Sequence, residues 1–176
     1  MTPGRPPDLA DEYICAASFR TLMAAMTIGE IYEEHAAAVF RCLLVWSRNA
    51  AIAEDLTAET FYRAIVSRQA IGAVTARGYL IAIARNVWRK HIVRHARERA
   101  LPPDIVAPIS LTEEARIDLQ RTLKALAALP EDLREPLVLY AQGGLSYEEV
   151  GAQLGISLAA VKIRIFRARK KLEIYR

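Results

Sequence analysis

Six Lys or Arg fall between Lys162 and Lys171, and no acidic residue stands among them. No Glu or Asp at helical spacing neutralises them, so the run does not read as a self-paired solvent face. Cations in that density on one helix suit a polyanion. Arg and Lys bond guanine edges in the major groove or grip phosphates, and an aromatic such as Phe166 can add apolar contact. Lys162, Arg164, Phe166, Arg167, Arg169 and Lys170 are the residues that could do this chemistry. The bland alternative is a solvated basic helix in some bundle.

The segment in front of this run decides between the two readings. Ser146 can cap a helix, and Glu149, three residues on, can return the bond as a capping box. Val150 and Leu154 share one face of that helix, and Gly151 is small where a second helix would cross. Gly155 suits the left-handed residue that ends a helix, Ile156 plugs the corner, and Ser157 is a good N-cap for the second helix. Along that second helix Val161, Ile165, Ala168 and Leu172 form one apolar stripe, while Lys162, Phe166 and Arg169 line another face. Helix, tight turn and cationic helix make a helix-turn-helix.

A second basic block lies upstream. Residues 77–99 hold seven Arg or Lys against one Glu, and residues 157–176 hold seven against one Glu. Between and before them lie acidic stretches: six acids against two Arg in 30–59, and eight acids against four bases in 112–149. A formal net charge of only +4 therefore conceals two cationic surfaces and two acidic ones. This distribution points to two nucleic-acid contacts, with acidic faces left for a basic partner or for solubility.

Composition restricts the rest. The chain has 176 residues, 53% of them hydrophobic, few aromatics, and only eight Gly and eight Pro, which favours helices. No strand pattern persists and there is no internal repeat. Of the two cysteines, Cys15 and Cys42, neither belongs to a Cys-x-x-Cys or Cys/His cluster, so no structural metal site is expected. Cys42 is expected inside a helix bundle in a reducing, cytoplasmic compartment, with a Cys15–Cys42 redox switch as the minor alternative. No apolar run approaches the ~20 residues that span a bilayer, and Asp8, Asp11, Glu12 and Arg20 spoil a signal peptide. No cofactor motif is present.

The expected architecture is all-α: two small helical domains on a flexible tether. Residues 1–27 read as an extension with early Pro. Residues 28–100 form the first domain, in which Ile31, Phe40, Leu43, Leu44 and Trp46 mark an apolar face. Leu56, Phe61 and Ile65 are expected to point inward from a helix over 53–65, with Asp55 and Glu59 projecting together. Ser67–Ala76 reads as a loop, and beyond it a long helix runs from Arg77 to about Arg99. Its buried side is Tyr79, Leu80, Ile83, Ala84 and Val87; its basic side is Arg85, Arg89, Lys90, Arg94 and Arg97, interleaved with Trp88 and His91. Residues 101–111, with Pro102, Pro103 and Pro108, are the linker, extended and able to reach up to ~40 Å. Residues 112–176 form the second domain. Ser110 with Glu113 offers a capping box, Leu119, Leu123 and Leu126 an inner face, and a helix runs from about Glu131 to Ala141 with Pro136 near its first turn.

Three segments in this order resemble the extracytoplasmic-function (group 4) sigma factors of bacterial RNA polymerase. Ala53–Ile65, with Glu-Asp-Leu-Thr-Ala-Glu-Thr-Phe, is similar to the family's core-binding segment. Tyr79–Arg94, with Leu-Ile-Ala-Ile-Ala-Arg-Asn, is similar to the −10 helix. Leu129–Leu172, with Leu-Pro-Glu-Asp-Leu-Arg and Leu-Ser-Tyr-Glu-Glu-Val, is similar to the −35 domain. The resemblance implies roles. Asp55, Leu56, Glu59 and Phe61 would engage core polymerase. Arg77, Tyr79, Arg85, Asn86, Trp88, Arg89, Lys90, His91 and Arg94 would hold the −10 element as it melts. Tyr147, Ser157, Lys162, Arg164, Phe166, Arg167, Arg169 and Lys170 would meet the −35 element. The loop 67–76, with Arg68 and Gln69, would correspond to the base-specificity loop. An anti-sigma protein acting in trans is implied as a further partner. The sequence departs from the family at Thr57-Ala58, Tyr140-Ala141 and Ile163.

These readings lead to a promoter-recognition subunit, not an enzyme: no nucleophile–base pair, phosphate-cradling Gly loop or metal set is apparent. Two alternatives are a helix-turn-helix regulator that works without polymerase and a sigma-like decoy for an anti-sigma protein. The acidic 53–65 segment speaks against the first, and retention of both basic blocks against the second.

Overall fold

The structure is a computed structural model that describes residues 28–66, 75–95 and 112–173. Within them lie seven α-helices and no strand: α1 (Ile28–Ser47), α2 (Ala50–Val66), α3 (Ala76–His95), α4 (Glu113–Ala128), α5 (Glu131–Ala141), α6 (Tyr147–Leu154) and α7 (Leu158–Leu172). The all-α expectation holds. The 1–27 extension, most of the 67–76 loop with Arg68 and Gln69, and the 101–111 linker lie outside the described residues.

Helices α1, α2 and α3 pack on one another as a three-helix bundle, and α5, α6 and α7 form a second. Ile31, Leu43 and Leu44 are buried on α1 as the apolar spacing requires, and Phe40 and Trp46 flank them half-buried. On α2 the inward set is Ala53, Leu56, Thr57, Thr60, Phe61 and Ala64. The two Thr hydroxyls donate to carbonyls one turn back, to Ala53 O at 2.6 Å and Leu56 O at 2.7 Å, which satisfies them in an apolar setting. Ile65 does not turn inward. It is 48% exposed beside Tyr62 and Val66, because the buried arc of α2 runs through Phe61 and Ala64 and leaves position 65 outside it.

Helix α3 buries Tyr79, Leu80, Ala84 and Val87 as expected, with Ile83 only partly covered and Ile81 fully buried in its place. It begins at Ala76, where the Thr75 hydroxyl accepts from Gly78 N at 3.1 Å. The N-cap of α4 is Thr112, whose side chain accepts from Ala115 N; Ser110, the capping residue expected from sequence, lies outside the described residues. Helix α5 runs Glu131–Ala141 and continues through the buried Pro136 in its second turn.

The two bundles share one hydrophobic core. Leu43, Leu80 and Ile81 from the first join Leu123, Leu139, Val150 and Ile165 from the second in a continuous cluster. Helix α1 supplies the junction, packing on both α4 and α5. At that seam the Cys42 thiol is fully buried, with Sγ 4.0 Å from Val138 O. Burial pushes this thiol up to about 12, so it stays protonated, as the packing role expected for Cys42 demands.

Candidate nucleic-acid interfaces

The helix-turn-helix is assembled by local chemistry. The Ser146 side chain accepts from Glu149 N at 3.1 Å while the Glu149 carboxylate accepts from Ser146 N at 2.8 Å, a complete capping box. Burial raises the Glu149 carboxyl, but hydrogen bonds from Thr75 and Ser146 outweigh it and hold the group below its usual range. Gly155 closes α6 at φ 64, ψ 35, the left-handed conformation. Ser157 then caps α7, accepting from Ala160 N at 3.2 Å. A Cβ on Gly151 would fall 2.9 Å from Ile156 O and 3.6 Å from Val161 Cγ2, so the absence of a side chain sets how closely α7 crosses α6.

Helix α7 buries Val161, Ile165 and Ala168, with Leu172 half-buried behind them. Its outer face carries Lys162, Arg167, Arg169 and Lys170, all exposed, with Arg164 partly covered. Phe166 is 67% exposed and Ile163 50% exposed on the same face. Two large apolar groups held among cations match the surface that thymine methyls and phosphates contact together. The sequence marks Phe166 as a candidate contact, whereas Ile163 stands out there only as a departure from the family; the signal for its exposure is its place off the apolar stripe. Behind this face Tyr147, at the start of α6, stacks on Tyr140 of α5 with centroids 4.7 Å apart, and the Arg169 guanidinium lies 5.3 Å over the Tyr140 ring. A hydrogen bond between the two phenols raises Tyr147 above its usual value.

The first bundle presents a different surface. Asn86, Arg89, Lys90 and Arg94 are exposed on α3. Trp88 and His91 are half-buried and stacked at 5.6 Å, and His91 stacks in turn on His95 at 4.3 Å. Tyr79 is 4% exposed and belongs to the core, so it offers no stacking face to a base. Arg77 and Arg85 turn toward the second bundle. Arg77 lies against the Gly144 backbone. Arg85 pairs with Glu135 at 2.5 Å and donates to Gln153 O at 3.3 Å.

On α2, Asp55 is exposed, and Glu59 is partly covered and paired with Arg63 at 2.5 Å. Leu56 and Phe61 are core residues, 5% and 6% exposed, and hold the helix that carries Asp55 without forming surface themselves. Thr57, one of the departures, faces inward on its own helix and leaves only Ala58 at the surface. No group of His, Cys, Asp and Glu able to hold a metal ion occurs among the described residues. No described helix is long and apolar enough to cross a membrane.

Family models match both bundles: sigma-70 region 2 over residues 31–98 and sigma-70 region 4 over residues 119–172. The chain is 38% identical over 157 residues to the ECF RNA polymerase sigma factor SigE of Mycolicibacterium smegmatis, an overlap of 83% of this chain and 60% of that protein. It is 32% identical over 155 residues to the ECF RNA polymerase sigma factor SigM of Bacillus subtilis, covering 84% of this chain and 94% of that one. Among solved structures, CnrH in complex with the cytosolic domain of CnrY superposes with a TM-score of 0.61 at 26% identity, over 84% of this chain and 85% of that chain.

Proposed function

The chain belongs to the extracytoplasmic-function sigma factors of the sigma-70 family, and from that membership we propose that it joins core RNA polymerase and directs it to promoters through two separate DNA contacts. Residues 28–100 take the −10 element and the polymerase, 101–111 form the tether, and 112–176 take the −35 element. The observation that carries this reading is the pairing of each family-matched segment with an exposed cationic helix face: Arg89, Lys90 and Arg94 on α3, and Lys162, Arg167 and Lys170 on α7.

In this reading α7 lies in the major groove. Lys162, Arg164 and Arg167 meet base edges or phosphates, Phe166 and Ile163 meet methyl groups, and Tyr147 and Ser157 sit at the two helix starts that face the backbone. Asn86, Trp88, Arg89, Lys90, His91 and Arg94 hold the unpaired −10 strand, cations on phosphate and rings beside bases. Asp55 and Glu59 dock on a basic surface of the polymerase. The chain works by binding and positioning, with no reaction of its own, beside the polymerase in the cytoplasm. CnrH, a structural relative, was solved with the cytosolic domain of CnrY; by analogy an anti-sigma protein in trans covers these surfaces here.

The test is to add the protein to sigma-free core polymerase on genomic templates. Promoter-dependent transcripts that require the protein are expected. Sequence-specific DNA binding by the free chain with no gain from core would move the assignment to a stand-alone helix-turn-helix regulator.

A further inference from the structure

A cleft of about 310 Å³ opens between the two bundles, at the small end of the ~300–1,000 Å³ span of small-molecule sites. Four guanidiniums line it: Arg48 from the α1–α2 turn, Arg85 and Arg89 from α3, and Arg134 from α5. Against them stand two carboxylates, Glu131 and Glu135, so four cations less two anions leave a surplus of two positive charges. Glu135 is taken by Arg85 at 2.5 Å. Among the described residues no ion pair holds Arg48, Arg89 or Arg134, and Arg134 donates to Ala127 O at 3.4 Å. Trp46 and Trp88, the two tryptophans of the chain, complete the wall, and both are half-buried.

Arg48 carries an independent sign. Its φ of 56° is left-handed, a conformation that favours Gly or Asn over a long side chain. The turn itself has no use for a guanidinium. Arg48 N donates to Leu44 O at 2.8 Å, the Ser47 hydroxyl donates to Asn49 O at 3.0 Å, and Asn49 Oδ1 accepts from Ile52 N at 3.2 Å. What the Arg48 side chain reaches is the cleft. We infer that this cleft binds a nucleoside polyphosphate. Guanidinium forks take phosphate oxygens in pairs, and the indoles offer flat apolar surface to a base. Glu131, an acceptor only, suits ribose hydroxyls or base N–H groups. A bare phosphate would leave the indoles and Glu131 unmatched, and an apolar ligand would strand the guanidiniums. Arg48, Arg134, Trp46 and Glu131 belong to neither of the proposed DNA contacts, so the site requires neither promoter nor polymerase.

The test is titration of GTP and ATP, without divalent cation, into the full chain. At least one nucleotide should quench the tryptophan fluorescence saturably, with one site by calorimetry. Arg48→Gly removes a guanidinium while suiting the left-handed backbone, so it should melt near the parent's temperature. It should nonetheless bind the nucleotide about tenfold or more weakly, the scale of a lost charged hydrogen bond. Arg134→Gln should weaken binding in the same sense, and it decides the matter if Arg48→Gly melts well below the parent. Tripolyphosphate should bind less tightly than the nucleotide, and Arg48→Gly should leave binding of a mixed-sequence single-stranded oligonucleotide unchanged. Absence of saturable binding overturns the inference, as does parental affinity in a folded variant. Tripolyphosphate that matches the nucleotide removes the base from the site, and an oligonucleotide weakened as much as the nucleotide returns the cleft to DNA; either result refutes the assignment. Failure of core-dependent transcription would strike the functional assignment and leave this site standing.

Discussion

Gly151 and Gly155 stand four residues apart in the helix-turn-helix and are required for different reasons, so their substitution separates two causes. Gly151→Ala gains about 0.5–1 kcal/mol in helix propensity. The new Cβ lands 2.9 Å from the Ile156 carbonyl oxygen, which is backbone and cannot swing away as a side-chain tip would. Overpacking of this kind costs about 1–3 kcal/mol. At mid-range the steric cost wins, leaving a net loss of about 1 kcal/mol and a fall in Tm of about 2–4 °C for a chain of this size. At Gly155 a Cβ meets nothing within 4 Å, and the penalty is the left-handed φ of 64° alone, about 1–2 kcal/mol for Ala. Asn tolerates that conformation, so Gly155→Asn should recover much of the loss, whereas Gly151→Asn should be worse than Gly151→Ala. Thermal melts of the four variants decide it. A Gly151→Ala protein that melts with or above the parent would refute the close-crossing argument, and equal behaviour of Ala and Asn at 155 would refute the conformational one.

Titration, thiol reactivity and partner binding give further outcomes. His35 is buried, and that burial, helped by the Arg77 charge and opposed by Glu34, lowers its pKa below the ordinary 6.5. Its neutral form is the one that the fold accommodates, so its contribution is complete above 6.5 and is lost as pH falls below it. Urea midpoints at about pH 7 and about pH 5 should differ less in His35→Gln than in the parent. The Cys42 thiol, at about 12, should resist thiol reagents in the native protein and react once the chain is unfolded in guanidinium, which a Cys15→Ser background reads cleanly. Arg167→Ala should weaken −35 duplex binding, and if the contact is to phosphate it should lower the salt slope by about 1. Asp55→Ala should weaken association with core polymerase while leaving DNA binding by the second domain intact; normal core binding in a pull-down would refute that assignment.

What the sequence disclosed was local. The Ser146–Glu149 box, the Gly155 terminus, the Ser157 cap and the Val161–Ile165–Ala168 stripe each depend on residues within a turn or two, and all stand as expected. Where a decision depended on tertiary packing, spacing alone misled. Ile65 continues an apolar pattern yet lies outside the arc that the other helices cover, whereas Tyr79 is buried as its spacing marks it, and what its burial removes is the base contact that the resemblance alone implied. The seam between the domains was out of reach altogether. Arg85 and Glu135 are 50 residues apart, across a linker whose length permits either arrangement, and no periodicity marks such a pair.

The Tyr147–Tyr140–Arg169 stack ties the start of α6, the end of α5 and the cationic face of α7 into one unit. A ring lost at position 140 frees the Arg169 guanidinium on another helix, so under the proposed −35 contact a substitution behind the cationic face would change how that face meets a duplex.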